Sequence, residues 1–327
     1  MRKALVIGAG GQDGRLLTSL LRTRGYTVEG WVREESGDPS ESRNRAVDLL
    51  AEDAVEREME HLQPDEIYYL AAFHHSTEDA VELTPTELLR RSFDVHLVGL
   101  LNVLHSMKRC CTHARLFYAA SSHIFGAGGE VPLTEATPPA PNSAYGLSKA
   151  AGMRACQLYR DEEGLFAATG ILFNHESALR KGTFLSQKIV QGALRCRRDP
   201  SSTLTLGNLD ARVDWGYAPD YVDAMTKILQ LPDATDFVIA SGEMHTVREF
   251  AEIAFGALGL DWRRHVRTNA AVLRKAPQAL CGDPQKLRAA TGWRPSMSFE
   301  RMVQTLVAEA SDAEPTSSML SAEVLAA

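Results

Sequence analysis

Lys3-Ala-Leu-Val-Ile7 runs directly into Gly8-Ala-Gly-Gly11-Gln-Asp-Gly14, after which Leu16, Leu17, Leu20 and Leu21 recur at helical spacing. A short apolar strand, a glycine turn and an amphipathic helix, in that order, are the context of a dinucleotide site. Glycines at 8, 11 and 14 let the backbone turn tightly and approach a pyrophosphate, and the first amides of the helix meet its charge. Gly8, Gly11, Gln12, Asp13 and Gly14 are therefore candidate cofactor contacts.

The next apolar run, Tyr26-Thr-Val-Glu-Gly-Trp-Val32, ends on Arg33. A site selecting NAD usually carries a carboxylate near this point to bond the ribose hydroxyls, whereas an arginine suits a 2′-phosphate. NADP is the expected cofactor, ahead of NAD.

Strands are expected at 3–7, 27–32, 66–70, 115–120 and 167–172, with helices near 13–24, 52–62, 85–109 and 143–163. That alternation predicts an α/β fold, a Rossmann doubly wound parallel sheet. The polar stretch from Arg33 to Arg45 is expected to be a loop over the adenosine end. Beyond residue 175 the order loosens into a smaller C-terminal α/β region, with elements at 183–197, 203–206, 218–230, 236–239 and 246–258. The expected division is a cofactor domain over 1–175, a mainly substrate-binding region over 176–310 and a frayed tail over 311–327.

The chain has 327 residues, 44% hydrophobic and 24% charged, as soluble globular proteins do. A net charge of −7 gives no footing for nucleic acid. No apolar stretch reaches membrane-span length. Met1-Arg-Lys leads straight into a core strand, so a cleavable signal is not expected and a cytoplasmic location is. Five cysteines, at 110, 111, 156, 196 and 281, lack metal spacing and are expected to be reduced, with no metal bound.

Tyr145 and Lys149 stand four apart in Tyr145-Gly-Leu-Ser-Lys149, so phenol and ammonium share one helix face. A neighbouring cation favours the phenolate, which can then take a proton from a hydroxyl while a nicotinamide accepts the hydride. Ser121-Ser122 lies upstream at the end of an apolar run.

The spacing Gly8-x-x-Gly11-x-x-Gly14 is that of the short-chain dehydrogenases/reductases. Over almost its entire length the chain resembles the GDP-mannose 4,6-dehydratase family. The resemblance rests on Gly11-Gln-Asp-Gly14, Gln63-Pro-Asp-Glu66, Phe173-Asn-His-Glu-Ser177, Leu206-Gly-Asn-Leu-Asp210, Asp214-Trp-Gly216, Asp220-Tyr-Val222, Val247-Arg-Glu-Phe250, Gly282-Asp-Pro284 and Gly292-Trp293. It implies an enzyme that uses NADP to oxidise a GDP-sugar at carbon 4, eliminates water across carbons 5 and 6, and returns the hydride to carbon 6. It makes Tyr145 the base at the 4-hydroxyl, Lys149 its partner on the nicotinamide ribose, and Ser121 a hydrogen-bonding partner of the same sugar oxygen. It assigns Asp48, Leu49, Leu70, Ala71, Ala72 and Leu172 to the cofactor. Ser122, Asn174, Lys188, Leu206 and Asn208 fall to the substrate; with Val213 in place of the family's arginine, a pyrophosphate contact is either missing or supplied by Arg212 or Arg274. It also implies a homodimer or homotetramer. The apolar face of 86–108 (Leu88, Leu89, Phe93, Leu97, Leu100, Leu101, Leu104) and the helix from Ala144 onward (Ala150, Ala151, Met153) would pair in a four-helix interface.

Departures from the family pattern cluster around the sugar. His123 stands where the family carries the glutamate that removes the carbon-5 proton and helps expel the 6-hydroxyl. Val213 replaces an arginine, and Phe73-His74-His75 replaces Gln-Ser-His. A histidine can still accept a proton near neutral pH. Oxidation at carbon 4 is thus expected to survive, with epimerisation ranked first as the following step. The alternatives are 4,6-dehydration with His123 as base, 4-ketoreduction, or a non-catalytic NADP-binding protein.

Overall fold

Leu5 to Ile7, Ile67 to Tyr69 and Leu116 to Ala120 are buried without a break. Such runs have no polar face and belong in a parallel sheet covered on both sides. The computed structural model describes residues 1–34, 44–75, 82–127, 132–269 and 279–312. Its strands are β1 (Lys3–Ile7), β2 (Thr27–Val32), β3 (Asn44–Ala46), β4 (Glu66–Tyr69), β5 (Arg115–Ser121), β6 (Phe166–Leu172), β7 (Asn174–Glu176), β8 (Leu204–Leu206), β9 (Arg212–Tyr217), β10 (Asp236–Ile239), β11 (Met244–Thr246) and β12 (Val266–Thr268). Its helices are α1 (Gln12–Thr23), α2 (Glu52–Leu62), α3 (Pro85–Phe93), α4 (Gly99–Cys110), α5 (Ala144–Glu163), α6 (Leu185–Arg198), α7 (Ala218–Ile228), α8 (Val247–Gly256), α9 (Trp262–His265), α10 (Gln285–Thr291) and α11 (Phe299–Asp312).

Seven strands form the main sheet in the order β10-β6-β5-β4-β1-β2-β3, and every recorded pairing in it is parallel. Alternation along each strand divides the core between the two faces. Leu5, Ile7, Tyr69 and Tyr118 point to the side packed with Val55, Met59, Leu100, Leu104 and Cys156 of α2, α4 and α5. Ala4, Val6, Tyr68 and Phe117 meet Leu17, Leu21, Met225 and Ile228 of α1 and α7 on the other. The strand order reverses between β1 and β4, which opens a crevice at the carboxyl ends of those strands.

The chain divides into two compact units. The first takes Met1–His175, Val213–Met244 and Gln278–Ser296, and the second takes Glu176–Arg212, His245–Pro277 and Met297–Ala327. Where a single break after residue 175 was expected, the chain therefore returns to the first unit twice. Sheet completion explains this, because β10 pairs with β6 at the sheet edge and α7 covers a face that α1 alone would leave open. In the second unit β8 and β12 pair in parallel. The buried side of α11, with Met302, Val303, Leu306 and Val307, belongs to a helix that was not among the expected elements. It takes in Ser311 and Asp312 from the expected tail, and 313–327 lie outside the described residues. The expected loop over 33–45 ends in β3, which pairs with β2, and 35–43 also lie outside.

The helix expected over 85–109 is interrupted. Thr84 and Glu87 form a capping box that starts α3, and a π-helical turn, Asp94–Val98, separates α3 from α4. Tyr69 Oη donates to Val95 O (2.5 Å) and Tyr118 Oη to His96 O (3.1 Å), so hydroxyls from two neighbouring strands satisfy carbonyls of that turn. Glycine is required opposite. A Cβ at Gly152 would lie 2.3 Å from Tyr118 Oη and 2.6 Å from His96 O.

Replacing a helix glycine by alanine normally gains about 1 kcal/mol. Gly152→Ala is expected to do the reverse, costing about 1–3 kcal/mol in denaturant unfolding, because α5 must move off β5. A variant as stable as the parent would contradict this packing.

Candidate active site

The glycine turn is closed by contact rather than by flexibility. Gly8 has φ 92°, and a Cβ there would sit 2.7 Å from Ala71 N. A Cβ on Gly14 would sit 2.3 Å from Gly8 O. Leu70 and Ala71 are thereby drawn against the turn at the switch between β1 and β4, and Ala72 follows them in the chain. Built Cβ atoms on Gly10 and Gly11 would meet nothing nearer than 3.7 and 3.4 Å, and no side chain caps the start of α1. An uncapped helix start beside side-chain-free backbone fits a pyrophosphate. Gln12 and Asp13 turn toward His175. Its Nε2 lies 2.9 Å from Asp13 Oδ2, its Nδ1 lies 2.7 Å from Phe173 O, and Gln12 Nε2 donates to Asp13 Oδ1 at 3.0 Å. His175 was quoted above only as part of a motif, and here it anchors the turn.

Arg33 follows β2, exposed and ion-paired with its neighbour Glu34 at 3.3 Å. Asp48 and Leu49 follow β3. The Asp48 carboxylate accepts from Leu50 N at 2.9 Å, and Leu49 O accepts from Asn102 Nδ2 at 2.8 Å. Leu172 closes β6 directly beside Ser121 of β5. All of these expected cofactor residues lie at or just beyond the carboxyl ends of the strands.

The expected catalytic set comes together at the end of β5. Ser121 is the last residue of that strand, and its Oγ accepts from His123 N at 3.3 Å. His123 is exposed on the 3-10 turn Ser122–Phe125, and a Cβ on Gly146 would lie 2.4 Å from His123 O. The turn therefore sits directly against the start of α5. Ser143 caps that helix by accepting from Gly146 N, which fixes Tyr145 in its first turn. Lys149 is buried one turn later. Its Nζ donates to Ala119 O at 2.7 Å and lies 5.9 Å from the Tyr145 ring centre. Burial pulls the Lys149 ammonium down to about 7 from the ordinary 10.5, with Asp13 opposing weakly.

Sequence reading missed how many imidazoles surround Tyr145. The rings of His74, His96 and His123 all stand steeply tilted or near perpendicular to its ring, at centroid distances of 5.6, 5.1 and 5.6 Å. Phe73 N donates to His96 Nε2 at 2.9 Å, so the proton sits on Nδ1, which donates to Ser148 Oγ at 2.8 Å. Ser148 Oγ donates in turn to Tyr145 O at 3.0 Å. Burial first, then Lys149 and His74, push His96 down to about 2, so it is neutral. The available signal was a histidine inside an otherwise apolar helical run. Among the described residues no group of three or more His, Cys, Asp or Glu converges to hold a metal ion, and no helix is long and apolar enough to cross a membrane.

Of the expected substrate residues, Ser122 and Asn174 stand in the first unit, whereas Lys188, Leu206, Asn208 and Arg212 stand in the second. Asn208 Oδ1 accepts from Asp210 N at 2.9 Å, and Leu206 closes β8. Arg274 lies outside the described residues.

The family model described as GDP-mannose 4,6 dehydratase matches residues 5–306. The chain belongs to this family. GDP-mannose 4,6 dehydratase 2 of Arabidopsis thaliana is 37% identical over 94% of this chain and 86% of its own length. Among solved structures, dTDP-glucose 4,6-dehydratase from Bacillus anthracis in complex with NAD superposes with a TM-score of 0.81 at 19% identity, covering 96% of this chain and 98% of that one. RMD from Pseudomonas aeruginosa, complexed with NADPH, gives 0.78 at 21% identity over 94% and 99%. At these identities the two structures establish the shared fold. As a GDP-mannose 4,6-dehydratase family member, the chain is an NAD(P)-dependent enzyme of the extended short-chain dehydrogenase/reductase superfamily.

Lys149 yields a test with a defined sign. Its folded value is depressed, so the unfolded chain binds the extra proton between about pH 7 and 10.5, and stability should rise with pH across that window. Cofactor-free Lys149→Met is expected to be more stable than the parent, with the gap widest below about pH 7 and closing toward 10.5. A gap that stays constant with pH would contradict the buried-ammonium account.

Proposed function

We propose that this enzyme is a GDP-sugar 4,6-dehydratase. Tyr145 takes the proton of the 4-hydroxyl, and Ser121 hydrogen-bonds the same oxygen. Lys149 supports the phenolate from the buried side and reaches the nicotinamide ribose. The 8–14 turn, Arg33, Asp48, Leu49, Leu70, Ala71, Ala72 and Leu172 hold the dinucleotide. The chemistry that cofactor supplies when bound is reversible, accepting hydrogen with its electron pair from carbon 4 and returning it at carbon 6. His123 removes the carbon-5 proton. Ser122, Asn174, Lys188, Leu206, Asn208 and Arg212 bind the nucleotide sugar.

Sequence reasoning ranked epimerisation ahead of water loss, and family membership reverses that order. The carrying observation is the exposed His123 imidazole, its ring centre 5.6 Å from that of Tyr145, the residue assigned to the preceding oxidation. Its substitution for glutamate changes charge and reach but keeps a group able to accept a proton near neutral pH. Ketoreduction and a non-catalytic role have no separate support. NADP is favoured over NAD by Arg33 at the end of β2, while relatives of this fold carry either cofactor. Exposed Leu89, Val98, Leu147 and Leu158 on α3, the π-helical turn and α5 support a homodimer or homotetramer, whereas Leu100 and Leu104 of the face expected to pair are buried in the core beside the sheet; light scattering tests the reading.

GDP-mannose should yield a product lighter by one water in mass spectrometry, whereas an unchanged mass with new NMR couplings would mean epimerisation. Tyr145→Phe should build up no reduced cofactor. Arg33→Ala should weaken NADP selectively over NAD by about 1–3 kcal/mol for a lost charge-assisted contact, and an unaltered preference would remove NADP from the assignment.

A further inference from the structure

Losing water from a 4-keto sugar takes two proton movements, and an imidazole that keeps the carbon-5 proton for return to that carbon, as His123 does in this reading, accounts for only one. Hydroxide leaves carbon 6 poorly, so the departing oxygen needs a proton from an acid. A second loose end lies at Tyr145. Its phenol gains a proton from the 4-hydroxyl in the first step and must pass it on before another turnover.

Three imidazoles meet that phenol. His96 is ruled out as a carrier, because it is buried and neutral and both ring nitrogens are held, by Phe73 N and Ser148 Oγ. His123 is assigned to carbon 5. His74 is exposed and its ring centre lies as close to Tyr145 as that of His123, at 5.6 Å. It follows Phe73, whose amide is fixed on His96, so its backbone is held at this position.

We propose that His74 is the general acid of the elimination, delivering its proton to the 6-oxygen and recovering one from the Tyr145 phenol, which took it from the 4-hydroxyl. This rests on the 4,6-dehydration reading. The step balances. His123 bonds the carbon-5 proton, and the C5–H electron pair becomes the C5=C6 π bond. The C6–O pair leaves with oxygen, which takes the His74 proton and departs as water. His74, now neutral, accepts the phenol proton of Tyr145, and His123 returns its proton to carbon 5 as carbon 6 is reduced. Over the turnover the proton lost from the 4-hydroxyl thus replaces on His74 the one that leaves in the water.

The test uses the purified holoenzyme with GDP-mannose in deuterated water. Three signals are followed: reduced-nicotinamide absorbance, deuterium at carbon 5 and loss of one water. His74→Gln should still reduce the cofactor and exchange carbon 5, while water loss falls by about 10²–10⁴-fold. His123→Gln should lose both exchange and water loss. Water loss by His74→Gln within a few-fold of wild type overturns the proposal. So does loss of all three signals together, which would mark His74 as a wall of the site. If the wild type itself releases no water, the dehydration reading fails instead, so the two failures are distinguishable.

Discussion

A neutral, buried imidazole joins the two halves of the site. His96 accepts the Phe73 amide at 2.9 Å and donates to Ser148 Oγ at 2.8 Å, which in turn bonds Tyr145 O. One ring thereby fixes the chain leaving β4 against the first turn of α5. Each ring nitrogen has a partner that fixes its protonation, so the tautomer is set by geometry. The clasp depends on the π-helical turn, and the turn depends on Tyr69 and Tyr118 reaching its carbonyls. Gly152 leaves the room for that approach. His74 and Tyr145 occupy their positions as consequences of this arrangement.

Burial also governs the other key group. Among the described residues no carboxylate is recorded in contact with Lys149; it donates to the Ala119 carbonyl, and Asp13 is the charge that acts on it. Desolvation therefore wins over attraction and holds the ammonium near neutrality at physiological pH. The same burial is a stability cost in the empty protein, tolerated where it serves function. At the opposite end of the glycine turn, the His175–Asp13 pair is satisfied on every side, by Phe173 O, Gln12 and the stacked ring of Tyr221. That pair braces the loop, in contrast to the open backbone at Gly10 and Gly11.

The sheet was readable in the sequence because its signals are local. Unbroken apolar runs marked β1, β4 and β5, and the glycines following β1 announced a turn that contact with Ala71 then explains. Tyr145 and Lys149 were readable because one helical turn separates them. The convergence of His74 and His96 on Tyr145 was not, since these residues come from sequence positions far apart and meet only through the sheet order. The π-helical turn was hidden for the same reason, because its stabilising hydroxyls come from β4 and β5. The discontinuous first unit reflects long-range sheet completion by β10, for which no short window of sequence carries a signal. The second step of the reaction was not legible in the sequence, because His123 taken by itself suits either elimination or epimerisation.

The state of His96 tests this account most directly. Nitrogen-15 NMR of the ring, followed from about pH 9 to about pH 5, should report a neutral imidazole with its proton on Nδ1 throughout. An imidazolium appearing within that range, or a proton on Nε2, would mean that Phe73 and Ser148 are not held as described and that the clasp does not organise the site.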